Sequence, residues 1–151
     1  MRIDRKVAAP ALSVFLAGCA AAATTAGGPV GDEAAVTSGG DSGARTVLAG
    51  VYTAGQATRG EAEFEQSCAS CHAINEFSGP IFQRIWAGRP VGEMYEFIST
   101  MMPESDPGGL TPQAYTDVIA YFLRQNQYPE GDAELPADGA ALREIVFQPA
   151  P

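Results

Sequence analysis

Cys68-Ala69-Ser70-Cys71-His72, the run CASCH, decides how this chain is read. It holds the only histidine among 151 residues and two of the three cysteines. A structural zinc site wants four ligands, commonly a second Cys or His pair at separated spacing, and the sequence offers none. A dithiol redox pair of thioredoxin type sits beside a βαβ pattern, which is also absent.

The remaining chemistry is covalent attachment of a c-type haem. Two thiols add to the haem vinyl groups, and the adjacent histidine reaches the iron from the same side. Cys68 and Cys71 are therefore read as attachment points of one haem c, and His72 as an iron ligand. The second axial ligand must be sought elsewhere, because no second histidine exists. Beyond the leader the methionines are Met94, Met101 and Met102. Met94, Phe97, Ile98 and Met101 run i, i+3, i+4, i+7, the apolar stripe of a buried helix face, so Met94 and Met101 are assigned to core packing. Met102 steps off that stripe and precedes Pro103, which pushes its backbone extended. Met102 is the candidate distal ligand, and Met101 the alternative.

Upstream of CASCH the chain is organised for export. Arg2, Arg5 and Lys6 precede the short apolar run Val7 to Leu16, too short to span a bilayer as a helix. The run ends in Leu16-Ala17-Gly18-Cys19, which resembles the lipobox of bacterial lipoproteins. The resemblance implies a signal peptide over residues 1–18 and lipidation of Cys19. Ala20 in place of an aspartate resembles the form released to the outer membrane. Residues 19–50 are rich in Ala, Gly, Ser and Thr without apolar period, and read as a flexible tether.

The full chain carries a net charge of −9. Without residues 1–18, six arginines and no lysine face seventeen Asp and Glu, a net −11. Such a surface argues against nucleic acid or an anionic membrane surface as ligand. It suits a protein partner with a basic docking patch. The row Glu61, Glu63 and Glu65 reads as a solvated helix face.

Downstream, no segment alternates like a strand, so the fold class is all-α. One helix is predicted from Thr53 to about Ser67, with Thr53 and Gln56 as a capping box. Residues 75–89 read as a loop punctuated by Gly79-Pro80 and Gly88. Pro90 opens a second helix that ends at Met102. Thr111 caps a third, in which Tyr115, Val118, Ile119 and Phe122 form the buried stripe. These elements define a domain over residues 51–128. Residues 129–151 read as a tail that packs on it, with a short helical turn near 139–145. So small a core benefits from a prosthetic group.

Four stretches carry a family likeness: QATRGEAEFEQSCASCH (56–72), GPIF (79–82), the run from Ile98 to Gly131 around TMMPES, and ELPADGAALREI (134–145). With them the chain resembles class I bacterial cytochromes c, most of all the short single-haem ones found with quinoprotein (PQQ-dependent) dehydrogenases. The resemblance implies a small class I cytochrome c fold, thioether links at Cys68 and Cys71, and His72 and Met102 as axial ligands. It implies that the Pro80 carbonyl accepts the proximal histidine's Nδ1–H. It also implies that Gly60, Phe64 and Tyr121 pack the first helix on the last. One departure is the short segment after CASCH, with Met102 only 30 residues beyond His72. In that segment Trp86, Arg84 and Arg89 are candidates for holding a haem propionate, against plain core filling for Trp86.

Function follows as an expectation. With both axial positions taken, the group passes single electrons on the periplasmic side of a bacterial membrane. The partners expected are a periplasmic dehydrogenase, quinoprotein or otherwise, or a respiratory complex as donor, and a terminal oxidase as acceptor. No catalysis is expected. Alternatives are a gas- or peroxide-reactive haem protein with a labile sixth ligand, and a docking subunit of a dehydrogenase or oxidase complex.

Overall fold

A computed structural model of the protein describes residues 45–150. The expected signal peptide, Cys19 and most of the tether lie outside the described residues. Within them the chain is all-α apart from one parallel pairing of two-residue strands, β1 (Arg45–Thr46) and β2 (Ile145–Val146). The helices are α1 (Ala54–Ser67), α2 (Gly79–Trp86), α3 (Val91–Met101), α4 (Pro112–Gln125) and α5 (Gly139–Arg143). Short 3₁₀ turns occupy Val47–Ala49 and Ile74–Phe77.

Two ends are capped as their sequences dictate. The Thr53 hydroxyl accepts from the Gln56 N–H at 3.1 Å, and Thr111 accepts from Ala114 at 3.1 Å. Pro112 behind Thr111 loses no helical hydrogen bond, since first-turn N–H groups have no intrahelical partner. The Gln56 side chain does not complete a capping box. It is fully buried and exchanges two hydrogen bonds with the Leu135 backbone, at 3.2 and 2.8 Å. A buried amide must find partners, and here it finds them in the C-terminal segment, which it pins to α1.

Helix α4 is the centre. Nine consecutive residues, Tyr115 to Leu123, are buried, the mark of a helix covered all round. Helix α1 crosses it at Gly60, where an added Cβ would overlap the Asp117 carbonyl. Around this crossing Phe64 meets Tyr121 at 5.7 Å and Phe122 at 5.9 Å between ring centroids. Arg59 on α1 binds both Asp117 oxygens, at 2.9 and 3.1 Å, and reaches Glu134 at 2.8 Å. One guanidinium thus joins both helices to the C-terminal segment.

Several expectations need correction. Residues 75–89 are not a loop: Gly79-Pro80 starts α2, with proline in the first helical turn. Phe82 turns that helix into the core. The stripe of α3 is rotated from the one expected. Phe97 and Met101 are 53 % and 54 % exposed, whereas Val91, Met94 and, partly, Tyr95 and Ile98 are buried. The reason is packing: α3 is covered by α4 and α5 together, and the two neighbours reach a face centred on Met94 and Ile98. Folded structure also begins before Val51, since Val47 is fully buried. The C-terminal segment supplies core residues Leu135, Leu142, Ile145 and Phe147.

Two measurements follow. Gly60→Ala must force α1 from α4 and is expected to cost about 2–3 kcal/mol in urea unfolding. Gly55→Ala on the same helix meets only the Thr53 hydroxyl, at 3.8 Å, and is expected to leave stability unchanged or raised. Equal losses for both variants would refute the crossing. The second concerns pH. Burial, then Glu130, pushes the Tyr52 phenol from 10.0 to about 12. A raised acid pKa leaves its stabilisation intact below the unfolded value and removes it as pH rises through the folded one. The urea midpoint should therefore fall between pH 10.0 and about 12. Tyr52→Phe should flatten that slope, and an unchanged slope would count against it.

Candidate functional site

Helix α1 ends at Ser67, and the chain turns at once. The Cys68 and Ala69 N–H groups both return to the Phe64 carbonyl at 2.9 Å. Cys71 and His72 then donate to the Cys68 carbonyl, at 3.1 and 2.9 Å. This tight turn is what a two-residue spacer permits, and it brings Cys68, Cys71 and His72 to one wall of a cavity. The two cysteines are free thiols, Cys68 half-buried and Cys71 exposed. Burial, then the Glu63 charge, pushes the Cys68 thiol above its ordinary value, so it stays protonated at neutral pH.

The cavity measures about 510 Å³, within the roughly 300–1,000 Å³ of small-molecule and cofactor sites. Phe64, Phe77 and Phe122 form its apolar floor. Phe77 lies flat on Phe122 at 4.5 Å with 6° between planes, and edge-on to His72 at 5.3 Å. Met102, Pro103, Glu104 and Ser105 also line the cavity. A smaller recess of about 30 Å³ lies against Met102, lined by Cys68, Ile98, Leu110 and Tyr115 among others. The expected axial pair, His72 and Met102, thus lines one cavity together, while Met101 lies outside it. Met102 follows the last residue of α3 with extended backbone, φ −130° and ψ 152°, as its place before Pro103 predicts.

The His72 ring has a carboxylate neighbour. Its Nδ1 lies 3.2 Å from a Glu76 oxygen, while the other Glu76 oxygen accepts from the Ala73 N–H at 2.8 Å. The Ala73 N–H first, and then His72, hold the Glu76 carboxyl below its ordinary range. Pro80, whose carbonyl the resemblance assigns to that role, sits in the first turn of α2. Trp86, Arg84 and Arg89 do not line the cavity. Trp86 packs on Phe82 and Phe147, and Arg89 lies 4.3 Å over its ring while pairing with Glu93 at 2.8 Å. The core-filling reading of Trp86 is the one that fits.

One residue that sequence reasoning missed holds the floor in place. Asn126, 3 % exposed, caps α4. Its amide donates to the Phe77 and Phe122 carbonyls, both at 2.8 Å, and its oxygen accepts from the Gly79 N–H at 2.9 Å. The only signal was an amide closing a long apolar helix. Asn126→Ala removes three hydrogen bonds and strands buried partners. We expect a loss of about 2–4 kcal/mol in thermal or urea unfolding, with weaker near-ultraviolet dichroism from the Phe77–Phe122 stack. Wild-type stability would contradict this role.

The donor set fits a haem. Two thiols, an imidazole and a thioether line the cavity together. The floor is aromatic, and among the described residues no lysine or arginine lines the cavity. Residues 55–122 match the family model described as cytochrome c oxidase, cbb3-type, subunit III. No curated protein and no solved structure matches the chain. The family match supports a class I cytochrome c domain, a covalently bound haem c and haem-based electron transfer. Domains of this kind are typically extracytoplasmic. Among the described residues no helix is long and apolar enough to cross a membrane.

Proposed function

We propose that this chain is a single-electron carrier with one haem c, linked through Cys68 and Cys71 and held by His72 and Met102. The observation that carries the reading is the shared cavity, which His72, Met102 and both thiols line together. When bound, the haem supplies a one-electron iron couple. The protein does the rest. Cys68 and Cys71 fix the group without relying on affinity. Glu76 orients the His72 ring through Nδ1, as outer-shell carboxylates do for ligating histidines. Phe64, Phe77 and Phe122 exclude water and supply a low-dielectric wall. With His72 and Met102 both holding the iron, no position would be left for a substrate, and such ligation would favour a high reduction potential.

On this reading the chain is exported and lipid-anchored at Cys19, on the periplasmic side of the envelope. Its tether gives the domain reach between partners. The family description supports a respiratory oxidase as the acceptor side. The likeness to cytochromes found with quinoprotein dehydrogenases supports such an enzyme as donor. The acidic excess supports a basic docking surface on whichever partner it meets.

An absorption spectrum of the matured protein tests the ligand set. The ferric form should show the weak far-red band of a sulfur–iron bond, and carbon monoxide should leave the ferrous form unchanged. Met102→Ala should abolish the band and admit carbon monoxide, whereas Met101→Ala should do neither. Ready binding of carbon monoxide by the wild type would replace electron transfer with a gas- or peroxide-reactive role.

A further inference from the structure

Ten residues, 102–111, connect α3 to α4, and most of them are exposed. The segment carries its own turns, with Asp106 N–H on the Pro103 carbonyl and Gly109 N–H on the Asp106 carbonyl, both 2.9 Å. Those bonds shape the loop but do not say where it sits. Its two ends meet on a single atom. The Tyr115 hydroxyl donates to the Met102 carbonyl at 2.7 Å and accepts from the Leu110 N–H at 3.4 Å. The ring beneath is 4 % exposed and stands edge-on to Tyr95, 6.3 Å away at 87°. Core packing of α3 and α4 therefore fixes the hydroxyl, and the hydroxyl fixes the loop.

We propose that Tyr115 is a positioning residue for the distal ligand, a clasp that holds Met102 against the cavity through its backbone. This rests on the reading of Met102 as iron ligand. The Cys68–His72 turn is placed by α1, and α1 is locked to α4 at Gly60. Met102 follows the last turn of α3 and leads into an exposed loop, so its thioether depth depends on what holds its backbone. Its N–H bonds only within α3, to the Ile98 carbonyl at 3.0 Å. The Tyr115 hydroxyl is the bond that refers Met102 to α4, and hence to the Cys68–His72 turn. A phenylalanine at 115 would pack as well and would lose only that reference.

The test uses the matured haem protein and ferric imidazole binding, which competes with methionine for the iron. A lost hydrogen bond of about 1 kcal/mol raises the share of molecules with methionine detached roughly fivefold. Apparent imidazole affinity scales with that share. Tyr115→Phe should therefore bind imidazole roughly fivefold more tightly and lose its far-red band at a lower pH than wild type. Tyr52→Phe is the control. It also removes a buried tyrosine bond to a carbonyl, to Tyr128 at 2.8 Å, away from the cavity. It should lower stability without changing imidazole affinity. Wild-type affinity in Tyr115→Phe would overturn the clasp, and so would an equal rise in Tyr52→Phe, which would mean general loosening. A wild type without the far-red band would overturn the ligand reading itself, and the clasp with it.

Discussion

The structure depends on one close approach, the crossing of α1 over α4 at Gly60. No side chain separates the helices there, and the Asp117 carbonyl occupies the space that a Cβ would need. Everything at the site is measured from that point. One turn further along α1, Phe64 reaches Tyr121 and Phe122. Another turn on, the helix ends and CASCH begins. A wider crossing would tilt the cysteine turn away from Phe122 and open the floor of the cavity. Arg59 reinforces the crossing from its polar edge, but half-exposed ion pairs contribute little individually. The steric fit at Gly60 and the aromatic burial beside it carry more.

From α4 the two walls of the cavity are placed by different means. The wall with His72 is continuous with α1 and needs only a tight turn. Asn126 gathers Phe77 and Gly79 under it. The wall with Met102 comes from α3, which α5 and the C-terminal segment press onto the domain. Its loop returns to α4 through Tyr115. The C-terminal segment is therefore not an appendage. Through Gln56 and Leu135 it holds α1, and through Phe147, bonded to Gly88 and Arg89, it holds the junction of α2 and α3. Protein interiors are close-packed, so a space of about 510 Å³ bordered by three phenylalanines is a place for a large apolar group, not a packing fault.

Much of this was legible in the sequence. CASCH named the chemistry because its spacing and its histidine leave few alternatives. The caps at Thr53 and Thr111 and the stripe of α4 were legible because a cap is local and a central helix shows its periodicity plainly. The stripe of α3 was misread because Phe97 and Met101 are as apolar as the residues that are buried. Which of two overlapping stripes faces inward depends on where α4 and α5 lie. Residues 75–89 read as loop because Gly-Pro breaks a helix or starts one, and only the burial of Phe82 decides. Gln56, Asn126 and Glu76 were unreadable in their roles, because a polar side chain's partner across the fold leaves no local pattern. The two-residue strands leave no pattern at all.

Electrostatics at the proposed site sets two effects against each other. An apolar floor disfavours the more highly charged oxidised iron, since charge is costly in a low-dielectric surround. Glu104 in the lining works the other way, because a carboxylate attracts the oxidised form. Burial decides between them. Phe64 and Phe122 are buried, while Glu104 is open to water, which screens its charge. Among the described residues no arginine lines the cavity, and Arg59, Arg89, Arg124 and Arg143 pair with carboxylates elsewhere. The same commitment leaves the surplus of carboxylates on the surface. The aromatic floor thus stays uncharged while the exterior is acidic.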